Sequence, residues 1–295
     1  MRSLGLDVGG TNVKLALLEG DVVVATDQAA TSSENGGPDA VLARLVELGR
    51  AAGEVDSIGV AWPGLIDEDG VALLMPNLYG EWRGQPLREP LERGFGRHVA
   101  LLNDGHAFAL AEARIGAARG SDDVICIVCG TGIGGGLVIG GRLHLGTDDR
   151  AGEIGHHTVV LDGPQCECGN TGCLEMLAGA RAIARAAGKA SFDEVVTAAR
   201  AGDEQSRAAL DRAGRLIGTA VANLTIFVAP QRVVVGGGVA EAGALLLDPL
   251  RETLHARAAN VAPLDKVELV PATLGSFAGA IGAALFGAEP TTARA

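Results

Sequence analysis

The chain has 295 residues, 47% of them hydrophobic, with 36 acidic against 24 basic side chains and a formal net charge of −12. That length and apolar content suit about two domains and exclude disorder as the overall class, while an acidic chain with no block of like charge excludes counterion-driven nucleic-acid binding. An anionic ligand must then be held by local devices, and the 44 glycines, gathered in short runs, supply backbone that can approach one closely.

The N-terminus has no apolar signal core before Asp7. Five cysteines are too few, and odd in number, for a disulfide scaffold, so the expected compartment is the reducing cytoplasm. The first strands are predicted at Leu4–Val8, Asn12–Leu18 and Val22–Thr26, punctuated by Gly9-Gly10 and Glu19-Gly20. A helix from Pro38 to Gly53 follows, with Val41, Leu42, Leu45 and Val46 on one face. Ser57–Trp62 is a continuous apolar strand of the kind a sheet covered on both faces requires, and it stops at Pro63-Gly64.

After a loop-rich stretch and a short helix come strand Val99–Leu102, the pair Asn103-Asp104, and a helix over Ala107–Ala118. Strands Val124–Val128 and Leu137–Ile139 flank a glycine run. Helices fill much of 174–228, strand Arg232–Val235 ends in Gly236-Gly237-Gly238, and a helix covers about 240–258. Val267–Val270 is the last strand, and the closing helix sets Phe277, Ile281 and Leu285 on one apolar stripe. Two uncharged stretches, Val124–Gly141 and Leu269–Ala288, reach membrane-spanning length. The first is rich in glycine, and Pro271 and Gly275 leave the second only about 16 Å of helix against a hydrocarbon core of about 30 Å. Both read as buried elements, with no membrane partner.

Leu4–Leu17 and Ile125–Ile139 share one pattern of strand, Gly/Thr-rich turn and strand, which suggests two related α/β halves. Three glycine turns stand out: Asp7-Val8-Gly9-Gly10-Thr11-Asn12, then Gly130-Thr131-Gly132-Ile133-Gly134-Gly135-Gly136, then Gly236-Gly237-Gly238. Such turns aim several N–H groups at one phosphate, and Thr11 and Thr131 add hydroxyl donors; taken singly, each is equally a tight hairpin. The second fits G-x-G-x-x-G but resumes as a strand where a dinucleotide fingerprint requires a helix. A nucleotide held by the three turns is therefore favoured over NAD.

Asn103-Asp104 ends a buried strand, at the sheet edge where open α/β folds bind ligands. Asp104 alone reads as a helix cap; in the company of the phosphate-type turns it is the best general-base candidate. His156, Cys166, Cys168 and Cys173 form H-x9-C-x-C-x4-C, three thiolates and one imidazole that suit tetrahedral, structural Zn²⁺. His157 is left packed or solvated. Cys126 and Cys129 face opposite sides of a strand and read as core.

With these residues assembled, the whole chain resembles the ROK family of repressors and sugar kinases, and within it the ATP-dependent bacterial glucokinases. The resemblance rests on Asp7–Thr11, Pro63-Gly64 with Pro76-Asn77-Leu78, Asn103-Asp104, Gly130–Gly136, Gly152-Glu153-Ile154-Gly155-His156, the Cys166–Glu175 segment and Val235–Gly238. It implies the actin-like (sugar kinase/Hsp70) fold, two α/β domains around a cleft. Residues 1–105 with the helix at about 276–288 would form the small domain, and 106–275 the large domain with the zinc loop 156–173.

It implies ATP-dependent phosphorylation of glucose at the 6-hydroxyl with Asp104 as base. Gly64, Asn77, Asn103, Glu153, His156 and Glu175 would surround the other sugar groups. Gly9, Gly10, Thr11, Asn12, Gly130, Thr131, Gly132 and Gly134 would hold the ATP phosphates, Gly236 and Gly237 would lie against adenosine, and Asp7 would help place Mg²⁺. A homodimer is the family habit. Other members act on fructose, mannose, N-acetylmannosamine or N-acetylglucosamine, and others are non-catalytic sugar sensors whose DNA-binding helices have no room before the strand that starts at Leu4. Gly105, His106 and His157 depart from the family pattern.

Overall fold

A computed structural model describes residues 1–32, 36–258 and 267–290, and within them the chain forms two compact units. The first comprises Met1–Arg119, Leu143–Ala151 and the chain from Leu274 onward; the second comprises Gly120–Arg142 and Gly152–Thr273. The division falls later than the expected 105/106 boundary, because the helix beginning at Asp104 packs on the C-terminal helix within the first unit.

The first unit is built on strands β1 (Arg2–Val8), β2 (Asn12–Glu19), β3 (Val22–Ala30), β4 (Ser57–Trp62) and β7 (Val99–Asn103), with the small β5 (Leu65–Ile66) and β6 (Ala72–Leu74) pairing separately. The second carries β8 (Val124–Cys129), β9 (Ile133–Ile139), β10 (Arg142–His144), β11 (Arg232–Gly236) and β12 (Glu268–Pro271). The strand orders are β3-β2-β1-β4-β7 and β10-β9-β8-β11-β12. In both, the central strand pairs antiparallel with the one after it (β1 with β2, β8 with β9) and parallel with a later one (β4, β11). The short sequence echo between Leu4–Leu17 and Ile125–Ile139 thus marks the same pair of strands in two sheets of one topology. The apolar runs of β4 and β11 are buried on both faces.

Helices α1 (Gly37–Ala51), α2 (Arg88–Phe95), α3 (Asp104–Arg114) and α9 (Ala278–Ala288) belong to the first unit. The second holds α4 (Glu175–Ala178), α5 (Ala180–Ala186), α6 (Phe192–Arg200), α7 (Glu204–Val228) and α8 (Ala244–Ala258). The expected stripe on the closing helix is replaced by burial all round: Ala278 and every residue from Ala280 to Phe286 are buried, because α9 lies on β1 and β4 and beneath α3. Gly5 and Gly59 sit directly opposite each other on β1 and β4. A Cβ on either would overlap α9 backbone, at the Ala280 and Ala283 carbonyls respectively. Paired glycines therefore open the groove that seats this small-residue helix.

Among the described residues, no helix is long and apolar enough to cross a membrane. The two suspect stretches resolve into the β8–β9 pair and into β12 with α9. Gly59→Ala is expected to cost about 2–3 kcal/mol by overpacking, read as a lower midpoint in chemical denaturation; an unchanged midpoint would show that α9 is not seated on that glycine.

Candidate active site and metal centre

In the first unit the turn between β1 and β2 is closed by Gly9 N–H donating to the Asn12 carbonyl at 3.0 Å. The buried Thr31 braces it, its hydroxyl donating to the Gly9 carbonyl at 2.6 Å and its N–H to the Thr11 carbonyl at 2.9 Å. Thr31 lies in an unpatterned polar stretch, and no sequence signal marks it. Thr11 is exposed and Asn12 half-buried. A Cβ on Gly10 would come within 2.5 Å of the Asn77 carbonyl, so the turn rests on the loop that carries Asn77, itself at φ 65°.

Asp7, at the end of β1, is partly buried. Its carboxyl is pushed up to about 6, by burial first, with Lys14 acting in the opposite direction. An oxygen donor beside a phosphate-type turn has the chemistry Mg²⁺ takes, and a cation there would offset the cost of the buried charge.

At the end of β7 the side chain that caps α3 is Asn103, not Asp104. Asn103 Oδ1 accepts from the N–H groups of Gly105 at 2.8 Å and His106 at 3.3 Å, while its Nδ2 donates to the Gly64 carbonyl at 3.0 Å. Gly64 has φ 102°. Asp104 occupies the first helical position, half-buried, and one of its oxygens also accepts from Gly105 N–H at 2.8 Å.

In the second unit the turn is tighter than the sequence implies. Gly130-Thr131-Gly132 alone form it, with Gly130 N–H donating to the Gly132 carbonyl at 2.8 Å, and β9 begins at Ile133. Gly134, Gly135 and Gly136 lie inside that strand opposite Val128, Ile127 and Cys126. Gly134 is therefore a strand residue, two positions beyond the turn. The glycines there serve close approach: a Cβ on Gly135 would meet the Cys126 carbonyl at 2.7 Å and Ile154 Cγ2 at 2.9 Å, and one on Gly155 would overlap the Ile133 carbonyl. The short 3-10 segment Ile154–His156 is thereby pressed onto β9, with Glu153 just before it.

Glu175, at the start of α4, accepts Ile133 N–H at 2.9 Å, and Ala180 N–H donates to the Gly130 carbonyl at 2.9 Å. The glycine turn is thus tied to the helices that leave the cysteine loop. Burial, first, and the nearby Glu175 carboxylate raise the Glu153 pKa, against the pull of His156. Beyond β11, Gly237 at φ 83° packs against the Cys129 backbone, where a Cβ would overlap, so Gly236 and Gly237 lie at the C-terminal end of β8.

The metal-type residues converge as the spacing predicts. The ligand atoms of His156, Cys166, Cys168 and Cys173 all lie within 4.8 Å of one another, with His156 Nδ1 3.6 Å from Cys166 Sγ and Cys168 Sγ 3.7 Å from Cys173 Sγ. A tetrahedral zinc with Zn–S near 2.3 Å would set such atoms about 3.8 Å apart, so the donor set fits the ion. The turn that makes this possible has Cys166 N–H donating to the Asn170 carbonyl and Gly169, at φ 92°, donating back to Cys166. His156 Nε2 faces Glu153 at 3.9 Å. His157 is not in the set; it is half-buried and lines a mostly apolar cavity of about 290 Å³ with Ile125, Leu137 and Leu224. Cys126 and Cys129 are buried in β8, and burial pushes the Cys129 thiol up to about 12.

The ROK family model matches residues 3–289. The chain belongs to the ROK family. It is 34% identical to the glucokinase of Thermotoga maritima, over 96% of each chain. It is also similar to the solved ROK hexokinase of Thermus thermophilus, with 35% identity, a TM-score of 0.88 and coverage of 97% of this chain and 98% of that one. A ROK glucokinase from Streptomyces griseus, solved with glucose and AMPPNP, is 31% identical with a TM-score of 0.83, covering 96% and 98%. The fold is accordingly the actin-like one of ROK sugar kinases, mixed α/β with two sheets of matching order.

Two measurements test these sites. Folding raises the Asp7 pKa from an ordinary 3.8 to about 6. Its charge therefore costs no stability below both values, an increasing amount between them, and the full amount above pH 6. Without nucleotide or magnesium, Asp7→Asn should melt higher than the wild type at pH 7.5, with a smaller gap at pH 5; a gap independent of pH would contradict the burial cost. Elemental analysis should find one zinc per chain, lost in Cys173→Ser together with melting temperature, and retention of zinc by that variant would break the four-ligand assignment.

Proposed function

We propose that this ATP-dependent hexose kinase takes glucose as its substrate and phosphorylates the 6-hydroxyl, with Asp104 as the general base. The observation that carries the reading is the division of labour at the start of α3. Asn103 supplies the helix cap and holds Gly64, so the carboxylate at position 104 is not required as the cap. A carboxylate in that place suits a base whose proton arrives only as the hydroxyl oxygen bonds to phosphorus.

Phosphoryl transfer passes through a loose transition state, so positioning and charge stabilisation carry most of the catalysis. In this reading the braced turns, Gly9–Asn12 and Gly130–Gly132, receive the phosphates through backbone N–H groups and the Thr11 and Thr131 hydroxyls. Gly236 and Gly237 lie against the adenosine, and Asp7 would hold Mg²⁺, which when bound neutralises phosphate charge. Asn103, Gly64 and Asn77, with Glu153, His156 and Glu175, hold the sugar.

His156, Cys166, Cys168 and Cys173 would hold the zinc, which when bound supplies structure to the loop. His156 Nδ1 faces the thiols and Nε2 faces Glu153, so the same ring is fixed as an N–H donor on its outer side. Support for glucose comes from the likeness to the glucokinases of Thermotoga maritima and Streptomyces griseus. The reading implies a cytoplasmic enzyme and a homodimer.

In a coupled assay over a panel of hexoses with ATP, glucose should give the highest kcat/KM. Asp104→Asn should retain glucose binding and lose roughly 10²–10⁴-fold in kcat. Near-normal turnover in that variant would remove Asp104 from the role.

A further inference from the structure

His106, two residues after Asp104 on α3, is 1% exposed. Its Nε2 lies 2.7 Å from the Ala151 carbonyl, and a carbonyl only accepts, so Nε2 must carry the proton. Nδ1 is then a bare acceptor, buried and without a hydrogen-bond partner. An isolated buried polar atom costs free energy, so an apolar side chain would be the cheaper occupant if packing alone were the purpose. Burial, first, also holds the ring below the ordinary histidine pKa, consistent with a neutral imidazole.

Ala151 is the last residue of the first unit before the chain enters the second at Gly152-Glu153. The same helix holds a second such point. Buried Glu112 accepts the N–H of Leu274, where the chain re-enters the first unit, at 2.9 Å, and the N–H of Ala117 at 2.8 Å. Polar side chains of α3 thus grip the backbone at two of the places where the chain changes unit.

We infer that His106 is a positioning residue for the sugar. Its Nε2–H bond ties Ala151 to the helix that begins with Asp104, and Ala151 leads through Gly152 directly into Glu153. This rests on the proposed reading of Asp104 and Glu153 as base and sugar ligand. The nucleotide turn Gly130–Gly132 is braced separately, by Glu175 and Ala180, so the effect should fall on the sugar.

His106→Met keeps the apolar volume and removes the N–H. It should raise the KM for glucose at least tenfold while the KM for ATP stays within about twofold. His106→Gln, whose amide nitrogen reaches the place of Nε2, should return the glucose KM to within about threefold of wild type. In the wild type, ¹⁵N shifts of His106 should report the Nε2–H tautomer, a readout that does not depend on the variants folding. An unchanged glucose KM in His106→Met, an equal rise for ATP, a failure of Gln to rescue, or an Nδ1–H tautomer would each overturn the role. Asp104→Asn in the same assay separates the two ideas. Normal turnover there sinks the underlying reading, whereas an inactive Asp104→Asn beside an unaffected His106→Met sinks only the role of His106.

Discussion

The amide nitrogens that open α3 need acceptors, and Asn103 meets that need. Because its Oδ1 takes the N–H groups of Gly105 and His106 and its Nδ2 reaches the Gly64 carbonyl, one side chain joins the end of β7, the first turn of α3 and the Gly64 loop. The Asp104 carboxylate stands on this small rigid assembly, and everything assigned to it depends on the assembly holding. A neutral amide suits this position because it donates and accepts at once, which a carboxylate could not do.

The second constraint is close backbone approach. Gly5 and Gly59 admit α9 onto the first sheet, and Gly135 and Gly155 admit the Glu153–His156 segment onto the second. In each case glycine works inside or against a strand, where its usual cost in strand stability is offset by an element that no side chain would let in. The turn at Gly130–Gly132 is then locked from behind by Glu175 and Ala180, which follow the cysteine loop. Metal loop, acidic segment and glycine turn form one connected structure.

Much of this was legible in the residues. Buried parallel strands such as Ser57–Trp62 and Arg232–Val235 declare themselves as apolar runs, and cysteine spacing brought Cys166, Cys168 and Cys173 to His156 rather than to His157. What escaped has long-range causes. The second glycine turn is shorter than its glycine run, because Gly135 and Gly136 answer to a loop that returns from residue 152. The cap read onto Asp104 falls instead to Asn103, because Asn and Asp are both good caps and stand side by side. The burial of α9 on all sides depends on α3 packing from the other face, and Thr31, His106 and Glu112 act through contacts that no local pattern announces.

The most direct test is a crystal structure with glucose and a non-hydrolysable ATP analogue bound. The account predicts the Asp104 carboxylate within hydrogen-bond reach of the sugar's 6-hydroxyl oxygen, about 2.6–3.2 Å, with Asn103 still capping α3. A 6-hydroxyl held by another group, with the Asp104 side chain turned back onto the helix N-terminus, would contradict it.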